Sequence, residues 1–259
     1  MPSTNPGKLQ DWNAATPHGS LPERTYHQLR DLIVRGRIPP SARVVEAEVS
    51  QRFSISRTPV REALARLVQE GYLAPVAGNR RTELAVAPLS TESVGELWGM
   101  IGALEGYAVG TISAFPAAKR ETLATDLEKL NRELRAASAA RPRNADNLFE
   151  LQAAFHQRFV DETAGHHLLT AYAMLRPQVQ RYEWVYGTRL DAEYEPSTNE
   201  HLRIIDAIRS GDAKKAREAV ETHWERAAAR TIAVIEGINA HPGPRLRTRP
   251  LPAPRKRPR

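Results

Sequence analysis

Cysteine is absent from all 259 residues. That removes disulfides, thiolate metal sites and cysteine nucleophiles together, and fits a reducing compartment. Long apolar runs are missing too: no stretch approaches the ~18–20 residues that a bilayer-spanning helix needs. Residues 1–20 are polar, rich in Pro, Thr and Asn, and lack the apolar segment of a signal peptide. There is no Gly-rich phosphate loop, no Gly-x-Ser-x-Gly elbow and no His-Glu-x-x-His motif. These absences set the expectation of a cytoplasmic chain without a membrane partner. Its length allows one large domain or two ordinary ones.

A strong excess of one charge is also missing from most of the chain. The formal net charge is +7, yet residues 1–90 carry +4, residues 91–240 carry −4 and the last 19 residues carry +7. That last stretch holds six prolines and seven basic side chains. It is expected to be disordered, either an uncommitted solvated tail or a source of sequence-independent attraction to phosphates. The basic balance is therefore a poor argument for nucleic acid. The pattern within residues 1–90 has to carry it.

Glu23 to Arg35 reads as a helix, because Tyr26, Leu29, Leu32 and Ile33 recur at three- and four-residue steps and Pro22 suits a helix start. Gly36 and Pro39-Pro40 end it. A short helix follows over Glu46 to Phe53, with Val49 and Phe53 on its inner side, and Ser54-Ile55 makes a tight break. Ser56 is placed to cap the next helix, Arg57 to about Gly71, where Pro59 falls in the first turn and Val60, Ala63, Leu64 and Leu67 form a buried stripe. Tyr72-Leu73-Ala74 and Thr82 to Val86 read as short strands around Gly78-Asn79-Arg80-Arg81.

This is the plan of a helix-turn-helix with a β-wing. Arg57 and Arg61 stand one turn apart near the start of the second helix, a face that fits the major groove. Ser56 and Thr58 can reach phosphates, and Arg80 and Arg81 can grip the backbone or the minor groove. A small helical domain with a solvated basic face explains two arginines, but not the whole string.

Ser56-Arg57-Thr58-Pro59-Val60-Arg61-Glu62-Ala63-Leu64, then Leu67 and Glu70-Gly71-Tyr72-Leu73, resembles the winged helix-turn-helix of the GntR superfamily of bacterial regulators. The resemblance covers residues 22–90 and makes Arg57, Thr58 and Arg61 the main DNA contacts, with Gly78 at the wing tip. Ser54 stands where the family usually has a glycine, and Ala47 where a further DNA-contacting Arg can occur, so base preference does not transfer.

After Pro88-Leu89-Ser90, with Thr91 as a helix cap, the chain is rich in Ala, Leu, Glu and Arg. Helices are expected near 92–114, 117–139, 145–163, 167–190, 198–210 and 213–238, with a kink at Pro177. Together they predict an antiparallel bundle. His156 lies between Phe155 and Phe159, His201 shares a face with Ile205 and Ile208, and His223 with Val220 and Ala227. Read alone, these fit either satisfied core histidines or a three-His metal site with an open position. His166-His167 reads as exposed or capping, while Trp98, Trp184, Trp224, Tyr107, Tyr172, Tyr182 and Tyr186 read as core or pocket lining.

Phe155-His156, then Glu200-His201, Ile204-Ile205-Asp206-Ala207-Ile208, Gly211-Asp212, Ala216 and His223 resemble the FCD effector domain of the FadR-type GntR subfamily. That resemblance implies a divalent metal (Zn, Ni or Mn) on His156, His201 and His223, with a small carboxylate effector completing the shell. Two positions depart from it. Gln152 replaces the Asp expected one turn before the first His, and a neutral amide binds a 2+ ion less well. Ile101 replaces an Arg expected four residues before Glu105, one that can grip a carboxylate. Both losses point to a less acidic ligand and weaker metal binding, or to an alignment slip of one turn. Arg181 is a candidate substitute anchor, so the effector set is Gln152, His156, Arg181, His201 and His223.

The expectation is thus a mainly α chain. A disordered arm (1–21) precedes a winged helix-turn-helix (22–88), a linker (89–91), an effector-binding and dimerising bundle (92–239) and a basic tail (240–259). It is expected to act as a homodimeric, ligand-responsive transcription regulator and repressor on a near-palindromic DNA operator, associated with the nucleoid when bound, and not as an enzyme. The alternatives are a metal-dependent hydrolase or lyase with an accessory DNA-binding domain, and an architectural DNA-binder without a ligand.

Overall fold

The computed structural model describes residues 19–76, 83–163, 165–189 and 194–240. Among these, α1 (Leu21–Val34), β1 (Arg43–Val44), α2 (Glu46–Phe53), α3 (Arg57–Gln69), β2 (Leu73–Pro75) and β3 (Leu84–Val86) form the first module. The second comprises α4 (Thr91–Ile112), α5 (Ala117–Ala139), α6 (Ala145–Thr163), α7 (His166–Arg189), α8 (Glu195–Ser210) and α9 (Ala213–Ala240). The architecture is mainly helical, a winged helix-turn-helix followed by an all-α bundle.

Local chemistry explains the first module. Ser20 and Glu23 close a reciprocal capping box ahead of α1, which begins two residues earlier than the apolar pattern alone indicates. Tyr26, Leu29 and Ile33 then pack against Val60, Leu64 and Leu67 of α3. The α2–α3 turn is made by Ser54 in the left-handed region, φ 56°. A serine there carries strain of about 1–2 kcal/mol that a glycine would not. Ser56 takes the N-cap backbone conformation of α3, but its side chain makes no capping hydrogen bond, contrary to expectation. Its hydroxyl stays on the exposed surface at the helix start.

The wing is an antiparallel sheet ordered β1-β3-β2, with Leu73 opposite Val86 and Arg43 opposite Ala85. β1 was not anticipated, since two residues after a Pro-Pro-Ser turn are too few to show an alternating pattern. The turn between β2 and β3, with the expected contacts Gly78, Arg80 and Arg81, lies outside the described residues, as do the arm before residue 19 and the basic tail.

In the bundle, Ser90 rather than Thr91 caps α4, its hydroxyl accepting from the Ser93 amide at 3.2 Å. Thr91 is one step inside the helix, where its side chain no longer faces the free N–H groups. α7 continues through Pro177 to Arg189 as one helix, and Pro196 sits in the first turn of α8, where a missing N–H costs nothing. α4 is the central helix, packed on α9, α7 and α6. Tyr107 departs from its expected place: it is 60% exposed, on the outer face of α4.

Polar contacts join the modules. The Arg181 guanidinium donates to the Ala87 carbonyl at 2.8 Å, and the Gln178 amide to the Glu70 carbonyl at 2.6 Å. Arg35 and Arg37, just past α1, both pair with Asp146 of α6 at 3.2 Å, and Arg35 also pairs with Glu150. Gly36 lies so close to the Trp184 indole that a Cβ there would come within 2.9 Å of the ring.

Candidate functional site

α6, α8 and α9 each contribute one buried histidine to a common centre. His156, His201 and His223 are 0%, 0% and 1% exposed, and one ring nitrogen of each lies within 4.8 Å of the others. Every Nδ1 has an oxygen partner: Glu105 for His156 at 2.9 Å, Asn131 for His201 at 3.0 Å and Glu200 for His223 at 2.9 Å. These oxygens only accept, so each Nδ1 carries the proton and each Nε2 keeps its lone pair. Nε2 of His201 and of His223 are buried without a partner. Nε2 of His156 is 3.3 Å from the Gln152 amide nitrogen, which donates to it, while the amide Oε1 is left unpartnered.

The electrostatics favour the neutral forms of His201 and His223. Full burial pushes His201 well below the ordinary histidine range, and His223 and His156 nearby add to the shift. Burial lowers His223 as well, although its hydrogen bond to Glu200 opposes the shift. Burial would raise Glu200, but hydrogen bonds from His223 and Arg230 outweigh it and hold the carboxyl down at about 2. Burial likewise opposes ionisation of Glu105, yet it is held below the usual carboxylate range by His156, Arg176 and the Trp224 indole. Tyr172 completes its shell, donating to Oε1 at 3.0 Å.

This donor set suits a divalent cation: three imidazoles whose Nε2 atoms turn to one centre, each oriented through Nδ1 by an acceptor. Glu105 and Glu200 stand in the sequence motifs without a role of their own, and Asn131 lies outside those motifs. A signal for Asn131 was there, since it stands four residues after Leu127 and three before Leu134 in an otherwise apolar stripe.

Arg181 is not brought to the histidines. It is 5% exposed, and its guanidinium is engaged by Gln178 and Ala87 at the junction with the winged module. The buried arginine nearer the centre is Arg176, paired with Glu183 at 2.9 Å and lying over the Trp224 ring at 5.7 Å. Next to Gln152 opens a pocket whose walls include Trp98, Phe149, Trp184, Tyr186, Tyr194 and Trp224. Trp98, Trp224, Tyr172 and Tyr182 are core residues as expected, and His166 and His167 are exposed at the start of α7.

On the first module, Ser56, Arg57, Thr58 and Arg61 are all exposed at the open end of α3. Arg61 is held by Glu46 of α2 through two hydrogen bonds, 3.1 Å from Nε and 3.0 Å from Nη2. That clamp lowers the Glu46 carboxyl, and it was not visible from the sequence.

A winged helix-turn-helix with an open recognition helix, joined to a bundle that encloses a histidine centre and a pocket, defines a DNA-binding regulator with its sensor in the same chain. Family patterns agree: bacterial regulatory proteins of the gntR family match residues 21–80, and the FCD domain matches residues 96–226. The chain belongs to the GntR family of transcription regulators and carries an FCD domain. The HTH-type transcriptional regulator YdhC of Bacillus subtilis is 26% identical over 211 residues, 82% of this chain and 91% of YdhC. A probable D-xylose utilization operon transcriptional repressor of Paenarthrobacter nicotinovorans is 27% identical, over 76% of this chain and 84% of the repressor. The structure of E. coli McbR/YncC shares the fold with a TM-score of 0.66 at 19% identity, over 84% of this chain and 99% of that one.

Proposed function

We propose that this regulator is a homodimeric repressor whose DNA affinity is set by a small molecule in the bundle pocket. The observation that carries the reading is a shared wall. Trp184 lines the pocket and also packs against Gly36 and Arg37 of the winged module, with the Arg37 guanidinium 5.8 Å from its ring centroid. Phe149 lines the same pocket, packs edge-on to Trp184 and lies under Arg35 at 5.3 Å. A molecule that displaces either ring changes the seat of α1, and so of α3. Occupancy and DNA affinity are thereby linked, each altering the other by the same factor.

Arg57 and Arg61 read base edges in the major groove, Ser56 and Thr58 hold phosphates, and Gly78, Arg80 and Arg81 serve the wing. The Glu46 clamp pre-sets the direction of Arg61. Dimerisation uses the exposed apolar stripe of α4, Met100, Ala103 and Tyr107, beside the exposed Leu169 and Met174 of α7. Gly95 and Gly99 on the same helix leave open space that lets a second helix approach closely. Two recognition helices about 34 Å apart then match a near-palindrome.

His156, His201 and His223 would hold a divalent cation such as Zn, Ni or Mn through their Nε2 atoms, once the Gln152 amide releases His156. When bound, it would supply a positive charge among the three imidazoles, none of which is part of the pocket lining. Glu105, Asn131 and Glu200 orient the imidazoles and keep their lone pairs inward. Catalysis is not part of this reading: Gln152, where a general base would stand, cannot take up a proton. The cytoplasm is the compartment this role requires.

Selection of bound fragments from a random DNA pool tests the proposal. A near-palindromic consensus with half-sites about one turn apart is expected. Salt-sensitive binding without a consensus would make the protein an architectural DNA-binder instead.

A further inference from the structure

The lining of the bundle pocket specifies the kind of molecule it takes. Six of its residues are aromatic: Trp98, Phe149, Trp184, Tyr186, Tyr194 and Trp224. Its two ionic side chains, among the described residues, are already neutralised from within the protein. Glu183 is bound by Arg176 at 2.9 Å, and Arg230 is bound to both carboxylate oxygens of Glu200 at 2.9 Å. A charged ligand would have to break one of these pairs or lose its hydration without a partner, and both are costly.

Among the described residues, two polar atoms of the lining side chains are buried without a hydrogen-bond partner: the Trp98 indole Nε1, which can only donate, and the Gln152 Oε1, which can only accept. Trp98 itself is 2% exposed. Unpaired buried groups call for an explanation, and a donor and an acceptor on two residues of one pocket lining match a ligand that carries the complementary pair.

We propose that the effector is an uncharged, planar aromatic molecule bearing one hydrogen-bond acceptor and one donor. Its ring stacks among the indole and phenyl walls, Trp98 donates to its acceptor, and Gln152 accepts from its donor. The inference rests on the reading of this pocket as the effector site. The cavity volume is about 50 Å³. That is less than the ~150 Å³ of an engineered void that admits benzene. A ring therefore enters by moving the walls, and Trp184 and Phe149 are the walls that bear on Arg35, Gly36 and Arg37.

Calorimetric titration of the full-length protein with 2-quinolone, benzoate and citrate tests this, with selective DNA binding measured on the same sample. 2-Quinolone, neutral, flat and carrying one donor and one acceptor, is expected to bind at least about tenfold more tightly than either anion. Trp98→Phe and Gln152→Met each remove one hydrogen bond and should weaken it about tenfold. Gln152 is only partly buried, so its variant remains readable if Trp98→Phe fails to fold. Tighter binding of benzoate or citrate would overturn the uncharged class. Unchanged 2-quinolone affinity in Gln152→Met, or no heat from 2-quinolone with the native protein, would overturn it equally. In each of those cases intact selective DNA binding leaves the regulator reading standing, whereas its loss counts against that reading.

Discussion

The two modules hold their candidate functional side chains in opposite states. On α3, Arg57, Thr58 and Arg61 are exposed, and the Arg61 side chain is 73% accessible even while clamped by Glu46. In the bundle the three histidines are at most 1% exposed, and each is oriented through Nδ1 before any ligand arrives. A DNA-reading surface keeps its rotamer freedom and loses it on binding, so contacts there trade affinity against side-chain entropy. A buried site settles that cost during folding. Its supporting residues therefore matter to stability as well as to ligand affinity.

The largest effect expected from that contrast is at Glu105. Glu105→Ala leaves the donors of His156, Tyr172 and Trp224 unpaired in the core, and should cost about 3–5 kcal/mol of unfolding free energy by urea denaturation. A loss under 1 kcal/mol would mean that the bundle centre is no more pre-organised than the α3 surface.

Next comes Asn131→Ala, which frees the His201 ring to rotate and should weaken zinc affinity about 10–100-fold in a competition assay with a chromogenic chelator. Affinity equal to that of the native protein would show that Asn131 does not support a metal site.

On the exposed side, Arg57→Ala should reduce operator affinity by about 1–3 kcal/mol at one base pair while leaving the thermal transition in place. Uniform weakening across all sequences would make Arg57 a phosphate contact instead.

Smallest is Ser54→Gly, which relieves the left-handed serine between α2 and α3. It should stabilise the winged module by about 1 kcal/mol and leave zinc affinity alone. Destabilisation would show that the Ser54 side chain contributes more than its backbone strain costs.

Much of this organisation is legible in the chain itself. The helix limits expected at 117–139 and 145–163 coincide with α5 and α6, because Pro116 and Pro142 mark their starts by local rules. The exposed face proposed to read DNA is equally legible, since Ser56, Arg57, Thr58 and Arg61 lie within six positions at the start of one helix. The bundle site was legible only as three candidates. Whether three histidines on apolar stripes converge or scatter depends on how the helices rotate against one another, and no periodicity records that. The same limit explains Arg181, which had the right chemistry and module but turns toward Ala87, and Tyr107, whose outward position is set by the packing of α4 on α9.

By itself the sequence determined the order of the modules, the limits of α5 and α6 and the concentration of positive charge after residue 240, because prolines, periodicity and composition act over a few residues. The tertiary structure decided the rest. It joined His156 to Glu105 across 51 positions, His201 to Asn131 across 70 and Gln178 to Glu70 across 108. Such pairings form only when separate helices bury a common core, and it is burial that makes the three imidazoles, the unpaired indole and the unpaired amide oxygen chemically significant.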